Sequence, residues 1–236
     1  PNNKLQVIDL RQRRLVGHVD LGESPEGVSL APDGRWVVAA IEGSNEIVIT
    51  DTATNKLAFS IKVHGRNPEH AVFSPDGKNI FVSAEEGDAV DVIDFAARRQ
   101  VAQVAVGARP RGIAFLPNGS RAYVATENSN EVYVIDGKSF GIVARIKAGE
   151  RANGVAVHPD GGRVYVSNGG EATVSVIDTA TGVVSAPITV GTLPGRVSGK
   201  CRKGLQEHLR PEADEQCAGR PGQCPTERRR KVWKCR

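Results

Sequence analysis

Four polar residues recur along this sequence at almost constant spacing: Glu26, Glu69, Arg111 and Asn153 are separated by 43, 42 and 42 positions. Each follows a proline or an alanine, and His70 stands after the second of them where the other three stretches have glycine. Carboxylate, guanidinium and amide groups that converge on a concavity are typical of a ligand site. A histidine there could also bind a haem iron or a divalent metal, or act as a base. The elements that carry these residues decide whether they meet.

The spacing of these residues is that of an internal repeat. Aspartates end successive β-branched runs with steps of 42, 43, 42 and 42, at Asp9, Asp51, Asp94, Asp136 and Asp178. Turn triplets of Pro, Asp or Asn, and Gly keep the same period, beginning at Pro32, Pro75, Pro117 and Pro159. The apolar runs between them are too short and too β-branched for helices, and the Gly of each triplet supplies the positive φ of a tight hairpin. Each repeat therefore predicts four antiparallel strands, named A to D in chain order.

Four-stranded repeats of about 42 residues are typical of β-propeller blades, in which sheets pack face to face around a channel. A solenoid of small sheets is the alternative, but its repeats are usually shorter. The prediction is an all-β, incomplete propeller of about four and a half blades over residues 1–198. Its parts are half a blade at 1–21, four blades at 22–64, 65–106, 107–148 and 149–190, and the start of another at 191–198.

The repeat stops abruptly near residue 198, and the composition changes with it. Residues 196–236 contain 12 Lys and Arg against 5 Asp and Glu, whereas the first 195 residues contain 19 against 22. All four cysteines also lie in this segment, at Cys201, Cys217, Cys224 and Cys235. With few apolar residues, 199–236 is predicted to be a disordered basic tail, either natural or the product of a reading-frame change. The acidic body argues against nucleic acid as its partner, and no apolar run is long enough to span a membrane.

The second strand of the repeat carries a family resemblance. It reads Tyr123-Val124-Ala125-Thr126 in one blade, Tyr165-Val166-Ser167-Asn168 in the next and Phe81-Val82-Ser83-Ala84 in an earlier one, although the first blade departs with Val38-Ala39-Ala40-Ile41. This resembles the YVTN-type β-propellers of bacteria and archaea, and is most similar to those associated with PQQ-dependent alcohol catabolism. The resemblance implies a periplasmic or extracellular protein of the binding or surface type, without a defined chemistry.

Three functions are consistent with these patterns. The first is a noncatalytic propeller that presents the channel mouth, with Glu26, Glu69, His70, Arg111 and Asn153, to a protein or a small ligand. The second, implied by the resemblance and by His70, is a helper or sensor in a periplasmic quinone or haem pathway. The third is a metal-dependent, lactonase-like hydrolase that uses Glu26, Glu69 and Asn153 as a partial ligand set. No motif identifies a cofactor or a catalytic residue. The acidic loops between strands B and C would suit a cation or a basic partner.

Overall fold

The computed structural model describes residues 3–192 and 194–195. Within them the chain forms a two-stranded hairpin followed by four four-stranded antiparallel sheets, each in sequential strand order. The predicted all-β propeller fold is thus confirmed. The predicted tail and the positions Arg196 to Ser198 lie outside the described residues.

The strands of each sheet match strands A to D of one repeat. The first hairpin contains strands β1 (Lys4–Asp9) and β2 (Arg14–Asp20). Blade 1 contains β3 (Pro25–Leu30), β4 (Trp36–Ile41), β5 (Glu46–Asp51) and β6 (Lys56–Lys62). Blade 2 contains β7 (Pro68–Phe73), β8 (Asn79–Ala84), β9 (Ala89–Asp94) and β10 (Arg99–Ala105). Blade 3 contains β11 (Pro110–Phe115), β12 (Arg121–Thr126), β13 (Glu131–Asp136) and β14 (Ile142–Lys147). Blade 4 contains β15 (Ala152–Val157), β16 (Arg163–Asn168), β17 (Thr173–Asp178) and β18 (Ile188–Thr189).

The register is the same in every blade. The third residue of strand B pairs with the fourth of strand C in the pairs Val38 with Ile49, Phe81 with Val92, Tyr123 with Val134 and Tyr165 with Val176. Because side chains alternate between the two faces of a strand, an identical register places repeat-equivalent side chains on equivalent faces. Phe81, Tyr123 and Tyr165 therefore occupy the same position on strand B of their blades.

The repeated turn residues act as the sequence predicts. The glycines of the four A-to-B triplets all have positive φ, between 71° and 77°. The aspartate at the end of each strand C accepts backbone N–H groups of the following turn; Asp51 Oδ1, for example, accepts those of Ala53 at 2.8 Å and Thr54 at 3.2 Å. These aspartates thus fold the C-to-D hairpins, which explains their recurrence.

Each blade buries its apolar residues against the next one. Phe81 and Val92 of blade 2, for example, pack with Ile113 and Val124 of blade 3 in one buried cluster. The innermost strands β3, β7, β11 and β15 contact one another in succession, so that they line the channel side of the arc.

The side of blade 1 that faces the first hairpin is less covered. Val28 and Leu30 of β3 are 41% and 54% exposed, whereas their equivalents Ala71 and Phe73 of β7 are buried. The first hairpin has only strands C and D of a blade, so no strand A or B covers β3 within the described residues.

A side-chain cap joins each pair of successive blades. Asn45, Asp88 and Asn130 follow strand B with positive φ, and each accepts through Oδ1 a backbone N–H of the loop before the next strand A. The donors are the N–H groups of Asn67 at 2.9 Å, Arg109 at 2.9 Å and Arg151 at 2.8 Å. Asn and Asp tolerate this left-handed conformation better than other residues with side chains.

We expect Asn130→Ala to lower the free energy of unfolding by about 2 kcal/mol. About half of this is the lost hydrogen bond to Arg151, and the rest is the strain of alanine in the left-handed region. Asn130→Gly removes the hydrogen bond without the strain and should cost about 1 kcal/mol. Urea denaturation measures both, and equal stability of the wild type and both variants would show that the cap contributes nothing.

Candidate functional site

The predicted channel-mouth residues are not on loops. Glu26, Glu69, Arg111 and Asn153 are the second residues of β3, β7, β11 and β15, and all four are half-buried. The D-to-A loops lie beside the turns that follow strand B; Glu85 N–H, for example, donates to Asn67 O at 2.8 Å. We call this end of the channel the mouth. Strand positions hold side chains more rigidly than loop positions would.

A group of charged side chains from blades 2, 3 and 4 forms an ion-pair network at the mouth. We call it the mouth cluster; its members are Glu69, Glu85, Glu127, Arg109, Arg111 and Arg151. Only Glu69 and Arg111 were predicted as site residues, and their side chains meet with 3.4 Å between Glu69 Oε2 and Arg111 Nη1.

Two buried carboxylates hold the arginines of the mouth cluster. Glu85, 8% exposed, contacts Arg109 through Oε1 and Arg111 through Oε2. Glu127, 3% exposed, accepts a hydrogen bond from Arg151 Nε at 2.9 Å through Oε1. Its Oε2 lies 3.5 Å from Arg111 Nε and 3.6 Å from Arg109 Nε. The acidic residues that follow strand B are therefore not all solvated, since Glu85 and Glu127 are buried.

Arg111 lies at the centre of the mouth cluster. Its guanidinium group is within ion-pair distance of Glu69, Glu85 and Glu127, and its side chain is 21% exposed. Its Nε is buried without a hydrogen-bond partner of good geometry among the described residues. A guanidinium shared by three carboxylates keeps its position even if one of them changes its charge.

The surroundings of Glu69 shift the pKa of its carboxyl group. Burial raises the pKa of Glu69 from the ordinary 4.5 to about 7, Glu26 and Glu85 add to the rise, and Arg111 opposes it. Because the folded state holds this proton more tightly than the unfolded chain, the associated stability is lost as the pH rises from about 4.5 to about 7.

His70 packs between the inner strands of its two neighbouring blades. Its Nδ1 accepts the backbone N–H of Ile113 at 3.1 Å, and a Cβ on Gly27 would lie 2.4 Å from its Cδ2. The Nδ1 atom is therefore used within the protein and is not offered to a metal. No group of three or more His, Cys, Asp and Glu side chains in residues 3–192 and 194–195 is arranged to hold a metal ion.

Asn153 lies apart from Glu69, on the side of the mouth that faces the end of blade 4. With Glu127, Arg151, Gly169, Pro194 and Gly195 it lines a cavity of about 120 Å³. A second cavity, of about 480 Å³, lies between blades 2 and 3 and is lined by Arg66, Glu85, Glu86, Asp88, Ala108, Arg109 and Asn128. The larger one has the size of a small-molecule site. The mouth cluster contributes to the walls of both.

Four members of the mouth cluster were missed as site residues, although the sequence contains a signal for them. Glu85 and Glu127 are repeat-equivalent, as are Arg109 and Arg151, and each arginine follows its carboxylate by 24 residues. A search for opposite charges that recur together would have found both pairs.

Similarity to known proteins is consistent with this architecture. The family model of lactonases with a seven-bladed β-propeller matches residues 94–195. No curated protein sequence matches the chain. Among the described residues, no helix is long and apolar enough to cross a membrane.

Solved structures with the same fold include enzymes of different kinds. Hydrazine synthase of Kuenenia stuttgartiensis has a TM-score of 0.75 and 22% identity, over 83% of this chain and 71% of that one. A putative 6-phosphogluconolactonase of Bacteroides fragilis has a TM-score of 0.68 and 18% identity, over 82% of this chain and 66% of that one. Dihydro-haem d1 dehydrogenase NirN in complex with DHE has a TM-score of 0.68 and 17% identity, over 82% of this chain and 43% of that one. The chain thus shares its β-propeller fold with these proteins, and it spans about two thirds of the length of the first two.

Proposed function

We propose that this chain is an arc of an extracytoplasmic, YVTN-type β-propeller that binds a protein or a small molecule at its mouth without catalysing a reaction. The main support for this proposal is the mouth cluster, in which charged side chains from three successive blades converge at one end of the channel. Glu26, Glu69, His70, Arg111 and Asn153 are the proposed contact residues, together with the exposed arginines of the cluster.

The energetics of buried charge support a binding role. Burying a carboxylate costs several kcal/mol, which an ion pair only partly offsets, so apolar residues would join the blades at least as well. The mouth cluster is therefore better explained by recognition than by stability. Polar and charged groups fixed on strands at a channel mouth provide the preorganised contacts that selective binding needs.

The proposed location and domain organisation rest on the sequence. The YVTN-like strand B supports a periplasmic or extracellular protein, and the acidic balance of residues 1–195 supports a partner other than nucleic acid. Residues 1–198 would form the propeller and residues 199–236 a basic extension outside the repeat.

A second candidate function is lactone hydrolysis. The lactonase match over residues 94–195 favours it, as does a carboxyl group with a pKa of about 7 beside Arg111, since such a group can transfer protons near neutral pH. The helper role in a quinone or haem pathway gains less support, because the Nδ1 atom of His70 already accepts a backbone N–H.

We expect a photo-crosslinking residue at the mouth to capture the ligand. p-Benzoylphenylalanine in place of Glu86, which is exposed and lines the larger cavity, should give an adduct when the protein is irradiated in the periplasm of its host. Mass spectrometry distinguishes a protein adduct from a small-molecule adduct.

The matched control is the same residue in place of Lys78, which is exposed on an A-to-B turn at the other end of the blade. The proposal predicts no adduct of the same mass there. Equal labelling at both ends would contradict a binding mouth, and turnover of a lactone by the wild type would favour the second candidate.

A further inference from the structure

The arginines of the mouth cluster are more exposed than the carboxylates that hold them. The side chains of Arg109 and Arg151 are 44% and 60% exposed, whereas those of Glu85 and Glu127 are 8% and 3% exposed. A molecule that enters the mouth therefore meets guanidinium groups first. Both oxygens of each buried carboxylate are occupied, so the planes of the arginines are fixed before any ligand arrives.

The repeat does not need these ion pairs to join its blades. The Asn or Asp cap at residues 45, 88 and 130 is present at all three junctions between complete blades. At the junction of blades 1 and 2, Asn67 stands where Arg109 and Arg151 stand later, and Glu42 has no ion pair among the described residues. The arginines are thus an addition to blades 3 and 4, at one part of the mouth.

Protonation of Glu69 changes the charge balance of the mouth cluster. Three guanidinium groups face Glu85, Glu127 and Glu69, so the cluster is neutral when all three carboxyl groups are ionised and positive by one when Glu69 is protonated. The charged groups that face Glu69 are Glu26 of β3, Glu85 of the turn after β8, and Arg111 of β11. Arg109 also interacts electrostatically with Glu69, and Glu127 contacts both Arg109 and Arg111.

We propose that Arg109, Arg111 and Arg151 bind a small molecule that carries carboxylate groups. The planar fork of a guanidinium matches a carboxylate with two parallel hydrogen bonds, and an arginine already fixed by a buried acid loses little entropy on binding. A ligand carboxylate close to Arg111 is repelled by ionised Glu69 and accepted when Glu69 is protonated. Binding therefore takes up a proton at Glu69. This inference rests on the proposed binding function of the mouth and specifies its ligand class.

The test uses oxalate, a planar dicarboxylate, and oxamide, its uncharged analogue of similar shape, in calorimetric titrations of the whole chain. Oxalate should bind and oxamide should not. If only the form with protonated Glu69 binds, a group that titrates near 7 predicts that the apparent Kd of oxalate rises about tenfold between about pH 6 and about pH 8. Glu69→Gln should bind with similar affinity at both pH values, since glutamine keeps the uncharged state.

The double variant Arg109→Gln, Arg151→Gln should raise the Kd of oxalate at least tenfold, because two of the three guanidinium groups are lost. Arg99→Gln, at the exposed start of β10, is the matched control and should bind oxalate as the wild type does. Should the double variant fail to fold, Arg109→Lys with Arg151→Lys keeps the charge but removes the fork, and it should still bind more weakly than the control.

Oxalate binding that is unchanged in the arginine variants, or that is absent from the wild type, would overturn the inference. A pH dependence that persists in Glu69→Gln would overturn the role of this proton. If crosslinking at position 86 still captures a ligand while oxalate does not bind, the mouth is a binding site for another ligand class. In that case only this inference fails and the proposed function stands.

Discussion

Phe81→Ala is expected to lower the free energy of unfolding by about 3–5 kcal/mol. Phe81 is 0% exposed and lies in the apolar cluster between blades 2 and 3. Its ring meets those of Phe115 and Phe140 in edge-to-face geometry, with centroids 4.8 Å and 5.8 Å away. Truncation removes these ring contacts and leaves a cavity that the rigid strands on either side cannot fill. Urea denaturation should show a lower midpoint with an unchanged slope.

Repeat-equivalent positions supply the controls for this experiment. Tyr123 is 1% exposed at the same position of blade 3, and Tyr123→Ala should cost about as much as Phe81→Ala. Tyr165 has the same register in blade 4 but is half-buried, because no further blade covers it within the described residues. We expect Tyr165→Ala to cost only about 1–2 kcal/mol. Equal losses at positions 81 and 165 would show that packing between blades does not determine the stability.

The fold could be predicted because its determinants are local and recur. A hairpin glycine such as Gly77 must have positive φ, and an aspartate such as Asp51 folds the turn that follows it, whatever lies further away. The repetition of both signals in several blades separates them from chance. Strand order and register then follow from short connections and from the alternation of apolar residues.

The mouth cluster could be predicted only in part, because its contacts cross between blades. Glu85 looks like an ordinary acidic turn residue in the sequence, and only Arg109 of the next blade explains its burial. The same holds for His70, whose partner Ile113 is 43 residues away. Nearby sequence also does not reveal that Glu69 lies within a strand and is shielded from water, which is the main cause of its raised pKa. Burial and pairing of a polar residue are set by neighbours that a one-dimensional pattern does not identify.

Asp91→Ala is expected to cost about 3 kcal/mol of stability, although no cation pairs with Asp91 among the described residues. Asp91 is 0% exposed on β9, and its Oδ2 accepts the buried N–H of Gly65 at 2.7 Å. Its Oδ1 accepts the side-chain amides of Gln100 and Gln103, each at 2.8 Å. Gln103 is exposed and can turn to water, so the variant leaves the Gly65 N–H and the Nε2 group of half-buried Gln100 without an acceptor. Each buried donor left unsatisfied costs about 1–3 kcal/mol.

The decisive comparison for Asp91 is with variants that remove its donors as well. Asp91→Val combined with Gln100→Leu should recover part of the stability lost in Asp91→Ala, because blade 1 has Val48 at this position and the Gly65 N–H is then the one buried donor of this group left unpaired. The His64 N–H loses Gln100 Oε1 as its acceptor, but His64 is exposed and its N–H can bind water instead. Ser175→Ala, at the equivalent position of blade 4, removes a single acceptor of the Asn168 amide and should cost about 1 kcal/mol. If the double variant is less stable than Asp91→Ala, then the favourable hydrogen bonds of the carboxylate, and not the unsatisfied donors, account for the loss.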